Sequence, residues 1–175
     1  MVFEGGSVAI IGGGLIGQSW ATLFLAKGAD VVICDSAPER AEQTKAFIEE
    51  AWPHLIALQL TEHPTPRTDF RFTTNIAEAC DGAIFIQESG PERIEIKRAM
   101  VAEMEKTAGP NTVIASSTSS LLASDIQVNA TRPHRILVGH PINPPHLVPA
   151  VELVGGVLTN ESAIEKAFDV YKNHL

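Results

Sequence analysis

Short runs of consecutive apolar residues alternate along this chain with segments whose apolar positions recur at helical spacing. SVAII (Ser7–Ile11), DVVICD (Asp30–Asp35), GAIFIQ (Gly82–Gln87), TVIASS (Thr112–Ser117) and RILVGH (Arg135–His140) read as strands buried on both faces. RFTTN (71–75) and AVELV (150–154) read as shorter strands. Ile16, Trp20, Leu23 and Phe24 share one helical face, and Lys27-Gly28 is a plausible end for that helix. A polar helix follows from about Ala37 into the fifties, where Pro53 is expected to break it. Residues 61–69 read as loop. Helices are expected over about 92–107, 122–128 and from about Glu161, the last carrying Ile164, Ala167, Phe168 and Tyr171 on one face. Strands and helices in alternation predict a doubly wound, mostly parallel α/β sheet, covered on both sides.

Composition narrows the picture without redirecting it. A chain of 175 residues is read as one domain, 1–175, and 45% hydrophobic with 19% charged residues is enough for a core. The net charge of −8 argues against a general nucleic-acid or anionic-membrane surface. Cys34 and Cys80 lack metal-type spacing and read as buried reduced thiols, as in a cytoplasmic protein. No apolar run reaches membrane-spanning length, and MVFEGGSVAII lacks the pattern of a signal peptide.

The first chemical signal is AIIGGGLIG. Gly12, Gly14 and Gly17 form G-x-G-x-x-G directly between a strand and a helix, the context that makes this otherwise weak pattern informative. Gly12 would permit the tight turn, Gly14 the approach of a pyrophosphate, and Gly17 close packing of helix on strand. Leu15 and Ile16 open that helix, whose unpaired N–H groups favour phosphate, and count with the glycines as cofactor-binding positions. Asp35 ends the second strand, eighteen residues after Gly17, where a carboxylate accepts from ribose hydroxyls and repels a 2′-phosphate. NAD is therefore expected over NADP, with Arg40 close enough in sequence to soften the preference. A glycine turn in an unrelated α/β protein, or an adenosyl-methionine enzyme, is the competing reading.

Ligands of such sheets bind beyond the carboxyl ends of the strands. Three later strand ends carry polar groups: Glu88 in QESGPERIEIK, the run Ser116–Ser120, and His140 on the proline-rich bend VGHPINPPHLVP. A histidine there suits proton transfer. If AVELV runs back beside the bend, Glu152 can bond the second ring nitrogen and set the tautomer. His140 reads as readily as a structural hydrogen-bonder, and His140, His146 and Glu152 as metal ligands, although their spacing fits no common zinc pattern. The serine run forms no GxSxG elbow. Histidines 54, 63, 134 and 174 read as surface.

Taken together, VAIIGGGLIGQSWA, VVICD, QESGPERIEIK, IASSTSSLLASDI and VGHPINPPHLVPAVELVGG resemble the 3-hydroxyacyl-CoA dehydrogenase family over nearly the whole chain. HPINPPHLVPAVELV and QESGPER look most like its branch containing L-carnitine dehydrogenase and lambda-crystallin, which uses free 3-hydroxy acids. The resemblance implies a Rossmann-type NAD-binding domain. By position it implies His140 as general base, Glu152 as the orienting acid, Ser119 against the substrate's oxygens and Asn143 near nicotinamide and substrate. Glu88 and Lys97 fall on positions that line the cofactor, and Ser117 is grouped with them. The expected reaction is oxidation of a 3-hydroxy acid or 3-hydroxyacyl-CoA to the 3-keto product.

Family enzymes continue into an all-helical C-terminal domain that closes over the substrate and usually makes a homodimer. This chain has no counterpart of it, so the sequence is read as the cofactor domain, with efficient turnover in isolation not expected. A non-catalytic NAD(H)-binding or structural module of the same fold is the competing reading. An exposed apolar patch near the final helix, with self-association, is a further expectation.

Overall fold

The apolar runs form strands because layers of helix cover both of their faces. The computed structural model describes residues 5–173. Its strands are β1 (Ser7–Ile11), β2 (Val31–Cys34), β3 (Arg71–Thr73), β4 (Ala83–Glu88), β5 (Val113–Ser116), β6 (Ile136–Pro141) and β7 (Val151–Gly155). The helices are α1 (Leu15–Ala26), α2 (Arg40–Ala57), α3 (Ile76–Cys80), α4 (Ile94–Met104), α5 (Ala123–Ile126) and α6 (Glu161–Asn173), with one 3-10 turn at Pro133–Arg135. Side chains alternate across each strand. Val8 and Ile10 therefore enter one core with Trp20, Phe24, Trp52, Phe85 and Ala167. Ala9 and Ile11 enter a second core with Cys80, Met104, Ile114 and Ile126.

The sheet order is β3-β2-β1-β4-β5-β6-β7. The chain starts in the middle, winds outward through β2 and β3, then crosses back to β4, β5 and β6, all parallel. Only β7 is antiparallel, returning beside β6. Winding reverses between β1 and β4, so a crevice opens beyond the carboxyl ends of these two strands. This is the Rossmann-type architecture.

Two local expectations need correction, and one helix is unexpected. Pro53 lies inside α2 and does not break it. It is exposed, as is Glu49, whose carbonyl loses its helical partner there, while Ile48, Ala51, Trp52 and Leu55 anchor the opposite face. In α6 the core-facing residues are Ala163, Ala167 and Val170; Ile164 and Phe168 face outward. They join Val154, Val157 and Leu158 as exposed apolar side chains around the β7 and α6 edge. Finally, α3 occupies a stretch with no helical signal, held at its start by Asn75, whose side chain accepts from the Glu78 N–H at 3.3 Å.

Cys34 and Cys80 are free and buried. Burial pushes the thiols up to about 11 and about 12 respectively. His54, His63 and His134 are exposed, and position 174 lies outside the described residues. No helix among the described residues is long and apolar enough to cross a membrane.

Candidate active site

The glycine loop is built by close approaches that only glycine allows. Gly12 has φ +106°, and a Cβ there would stand 2.6 Å from the Ser89 carbonyl oxygen, just past β4. A Cβ on Gly17 would collide with the carbonyl oxygen of Gly12. Gly14 differs: a Cβ there would meet nothing within 4 Å. It is the N-cap of α1 and offers no side-chain cap. Gln18 bonds back to the Gly14 carbonyl at 2.8 Å, so the N–H groups of Leu15, Ile16 and Gly17 precede the helical ladder. Leu15 is exposed beside them. Asp35 completes the cradle, accepting from the Gly13 N–H at 2.7 Å and the Ala37 N–H at 3.0 Å. Arg40 is nearby but spends its guanidinium on Gln43 at 2.7 Å. Open space above free N–H donors, with a carboxylate at one end, fits a dinucleotide.

The carboxyl ends of β4, β5 and β6 carry the remaining groups. Glu88 and Lys97 form a fully buried ion pair, with Lys97 Nζ at 2.9 Å from both carboxylate oxygens. Gly90 N–H at 2.6 Å and Ser116 Oγ at 2.5 Å also donate to Glu88. Both side chains are thus satisfied by the protein, beneath the site surface.

Glu92 is the residue that sequence reasoning missed. One of its oxygens accepts from Thr118 Oγ1, from the N–H groups of Ser119 and Ser120 at 3.2 Å each, and from Ser120 Oγ at 3.0 Å. A single carboxylate therefore folds the serine loop. Burial opposes its ionisation, but the bonds from Thr118 and Ser120 and the charge of Lys97 outweigh that and hold the carboxyl below its usual range. The available signal was its position, four residues after Glu88 in QESGPER.

His140 and Glu152 are register partners across β6 and β7. His140 Nδ1 lies 2.9 Å from Glu152 Oε2, and the other ring nitrogen has no partner among the described residues. A cavity of about 240 Å³ beside them is lined by Ser119, Ser120, Leu122, Val138, His140 and Glu152 among others. Among the described residues, this pair supplies the only histidine and carboxylate side chains of its lining. Asn143 is exposed on the loop after β6 and does not line the cavity; the peptide to Pro144 is cis. Ser117 is turned inward, bonded to Trp20, Gln87 and Ser89. His146 is buried against Ser19 and the edge of Phe47, far from a ligand role. Among the described residues no group of histidine, cysteine and carboxylate side chains could hold a metal ion.

Comparison with known proteins bears on the family and the fold. The family model "3-hydroxyacyl-CoA dehydrogenase, NAD binding domain" matches residues 7–174. The L-carnitine dehydrogenase of Streptomyces griseus is 43% identical over 164 residues, which is 94% of this chain and 49% of that enzyme. The L-carnitine dehydrogenase of Pseudomonas putida is 42% identical, covering 93% of this chain and 50% of its own length. The chain thus spans about half the length of the curated relatives it matches. Among solved structures, an NAD-dependent 5-formyl-3-hydroxy-2-methylpyridine 4-carboxylic acid 5-dehydrogenase superposes with TM-score 0.86 at 30% identity, over 95% of this chain and 54% of that one. The 3-hydroxybutyryl-CoA dehydrogenase of Escherichia coli K12 shares the fold, with TM-score 0.86 at 23% identity, over 96% of this chain and 36% of that one.

Proposed function

We propose, from the premise that this chain belongs to the 3-hydroxyacyl-CoA dehydrogenase family through its NAD-binding domain, that it is the cofactor half of an enzyme oxidising a free 3-hydroxy acid to the 3-keto acid. The observation that carries the reading is the His140–Glu152 pair, with a 2.9 Å bond on one ring nitrogen and the other nitrogen left for a substrate. When bound, NAD supplies the acceptor for the hydride that leaves the carbinol carbon. His140 takes the hydroxyl proton on its free nitrogen, and Glu152 holds the tautomer and stabilises the imidazolium. Ser119, whose N–H is anchored on Glu92 at 3.2 Å, offers its hydroxyl to the substrate's oxygens, while Ser120 spends both its N–H and its hydroxyl proton on Glu92. Gly12, Gly14, Leu15, Ile16, Gly17 and Asp35 hold the dinucleotide, with Asp35 selecting against a 2′-phosphate. Glu88 and Lys97 act from below by fixing the turn at Gly90, and Ser117 by orienting Ser89. Asn143 would reach the substrate only from the loop beyond the cavity.

A free acid is favoured over a CoA thioester because the relatives at 41–43% identity are L-carnitine dehydrogenases. The same proposal places the protein in the cytoplasm and the whole enzyme in a homodimer, with the remaining wall of the pocket supplied by a further helical domain.

The test has two stages. Calorimetric titration of the chain with NAD and NADP should show binding of NAD and much weaker binding of NADP. In the enzyme that carries this domain, a panel of 3-hydroxy acids and their CoA thioesters should then show saturable NAD reduction with a free acid. Cofactor binding without turnover on any of them would leave a binding module, not a dehydrogenase.

A further inference from the structure

The buried polar groups behind the nicotinamide side of the site form a hydrogen-bond chain with a fixed direction. Tyr171, on α6, donates to Gln87 Oε1 at 2.5 Å. Burial pushes its phenol well above the usual range, against a smaller opposing effect of Gln87, so it stays a donor. Gln87, wholly buried at the end of β4, donates from Nε2 to Ser117 Oγ at 2.9 Å and to the Gly139 carbonyl at 3.3 Å. Because a carbonyl can only accept, the Gly139 contact fixes which way the Gln87 amide is turned. Trp20 Nε1, which can only donate, gives a second bond to Ser117 Oγ at 3.2 Å.

Ser117 therefore accepts twice. Its one proton is left for Ser89 Oγ, at 2.9 Å. Ser89 in turn must accept, so its own proton has no partner among the described residues. Ser89 is half-buried at the switch point of the sheet, its N–H bonded to the Ile11 carbonyl at 2.7 Å and its carbonyl against Gly12. It lies on the β4 side of β1, opposite Asp35 on β2, and thus toward His140.

We infer that the Ser89 hydroxyl is a cofactor-binding donor, aimed by Tyr171, Gln87 and Ser117 at an oxygen acceptor on the nicotinamide half of the dinucleotide. Ser89 makes the contact, and Ser117 is a positioning residue that acts only through it. The inference rests on the NAD-binding reading. It adds to that reading a side chain whose one partner, Ser117, is held by residues of β4 and α1, with β6 and α6 behind them.

The test is a fluorescence titration of the 175-residue chain with NADH, and a calorimetric one with ADP as the probe of the adenosine half. Ser89→Ala should weaken NADH by roughly five- to tenfold, the worth of one hydrogen bond, and leave ADP unchanged. Ser89→Thr should restore NADH affinity. Ser117→Ala should match the Ser89→Ala loss and add nothing when combined with it. Unchanged NADH affinity in Ser89→Ala overturns the inference, as does an equal loss for ADP. A wild-type chain that binds neither ligand would overturn the cofactor reading and the inference together.

Discussion

His140 and Glu152 stand directly opposite each other on antiparallel strands, and their side chains, 12 positions apart in sequence, are joined by a 2.9 Å bond. Residues 142–150 between the two strands are loop, yet the register of β6 and β7 fixes the pair. Glu152 is the outer member, with 69% of its side chain exposed against 29% for His140. The imidazole is thus held from its more exposed side and borders a cavity that the serine loop also lines.

Two substitutions separate the roles in the enzyme carrying this domain. His140→Ala should lower kcat by about 10²- to 10⁴-fold, the usual worth of a general base. Glu152→Gln keeps the shape but removes the charge that supports the imidazolium, and should cost at least about tenfold. Neither should change NADH affinity by more than about twofold, since neither touches the glycine loop. Steady-state kinetics paired with NADH titration decides this; a parallel loss of cofactor binding would assign the pair a structural role.

The glycine loop yields a sharper separation. Gly14→Ala adds a methyl group where nothing lies within 4 Å, so thermal stability should be preserved while NAD affinity falls. Gly17→Ala drives a methyl group into the Gly12 carbonyl and should lower both Tm and affinity. Differential scanning calorimetry with and without NAD distinguishes them. If Gly14→Ala bound NAD normally, the dinucleotide would not approach the backbone there.

What was legible in the sequence was local. The strand, glycine and acid pattern from Ser7 to Asp35 is contiguous, and each residue's role follows from its neighbours. His140 and Glu152 could be joined because one hairpin-like return places them together. Glu92 could not be found that way: its role is made by Thr118, Ser119 and Ser120, more than twenty residues on, which only the parallel pairing of β4 and β5 brings near. The same holds for His146, whose partner Ser19 is 127 residues away. In α6 the spacing showed which residues are apolar, but Ile164 and Phe168 belong to the uncovered side, a fact set by how the helix lies on β5 and β6. The five residues of α3 are too few to show a period at all.

The buried pair of Glu88 and Lys97 should behave asymmetrically. Lys97→Met leaves a carboxylate at 1% exposure with hydrogen-bond donors but no countercharge, at a cost of about 3–5 kcal/mol. Combining it with Glu88→Gln removes the stranded charge and should recover much of that loss. Urea denaturation of the two variants checks it. Equal destabilisation by the single and double changes would show that the lost partners of Gly90 and Ser116, not the unpaired charge, set the cost.

The loop after β6 carries a pH dependence of its own. The His146 backbone N–H donates to Ser19 Oγ at 3.1 Å, and the imidazole Nδ1 of the same residue meets that hydroxyl at 2.6 Å, an arrangement a neutral ring satisfies by accepting Ser19's proton. Burial, with a smaller contribution from the charge of His54, lowers the imidazole's pKa below 6.5. An unfolded histidine titrates at about 6.5. As pH falls, the unfolded chain therefore takes up this proton before the folded one does. The stability is full above about pH 6.5 and is lost progressively below it, down to the folded pKa. The carboxyl of Glu92, held below its usual range, adds its own loss only in the more acidic carboxylate window. In urea titrations at pH 7.5 and pH 5.5, wild type should lose more stability between the two than His146→Leu does, although the variant is the less stable at pH 7.5. Identical slopes in the two proteins would mean that this histidine charges as readily in the fold as outside it, and that the loop is not held by a neutral ring.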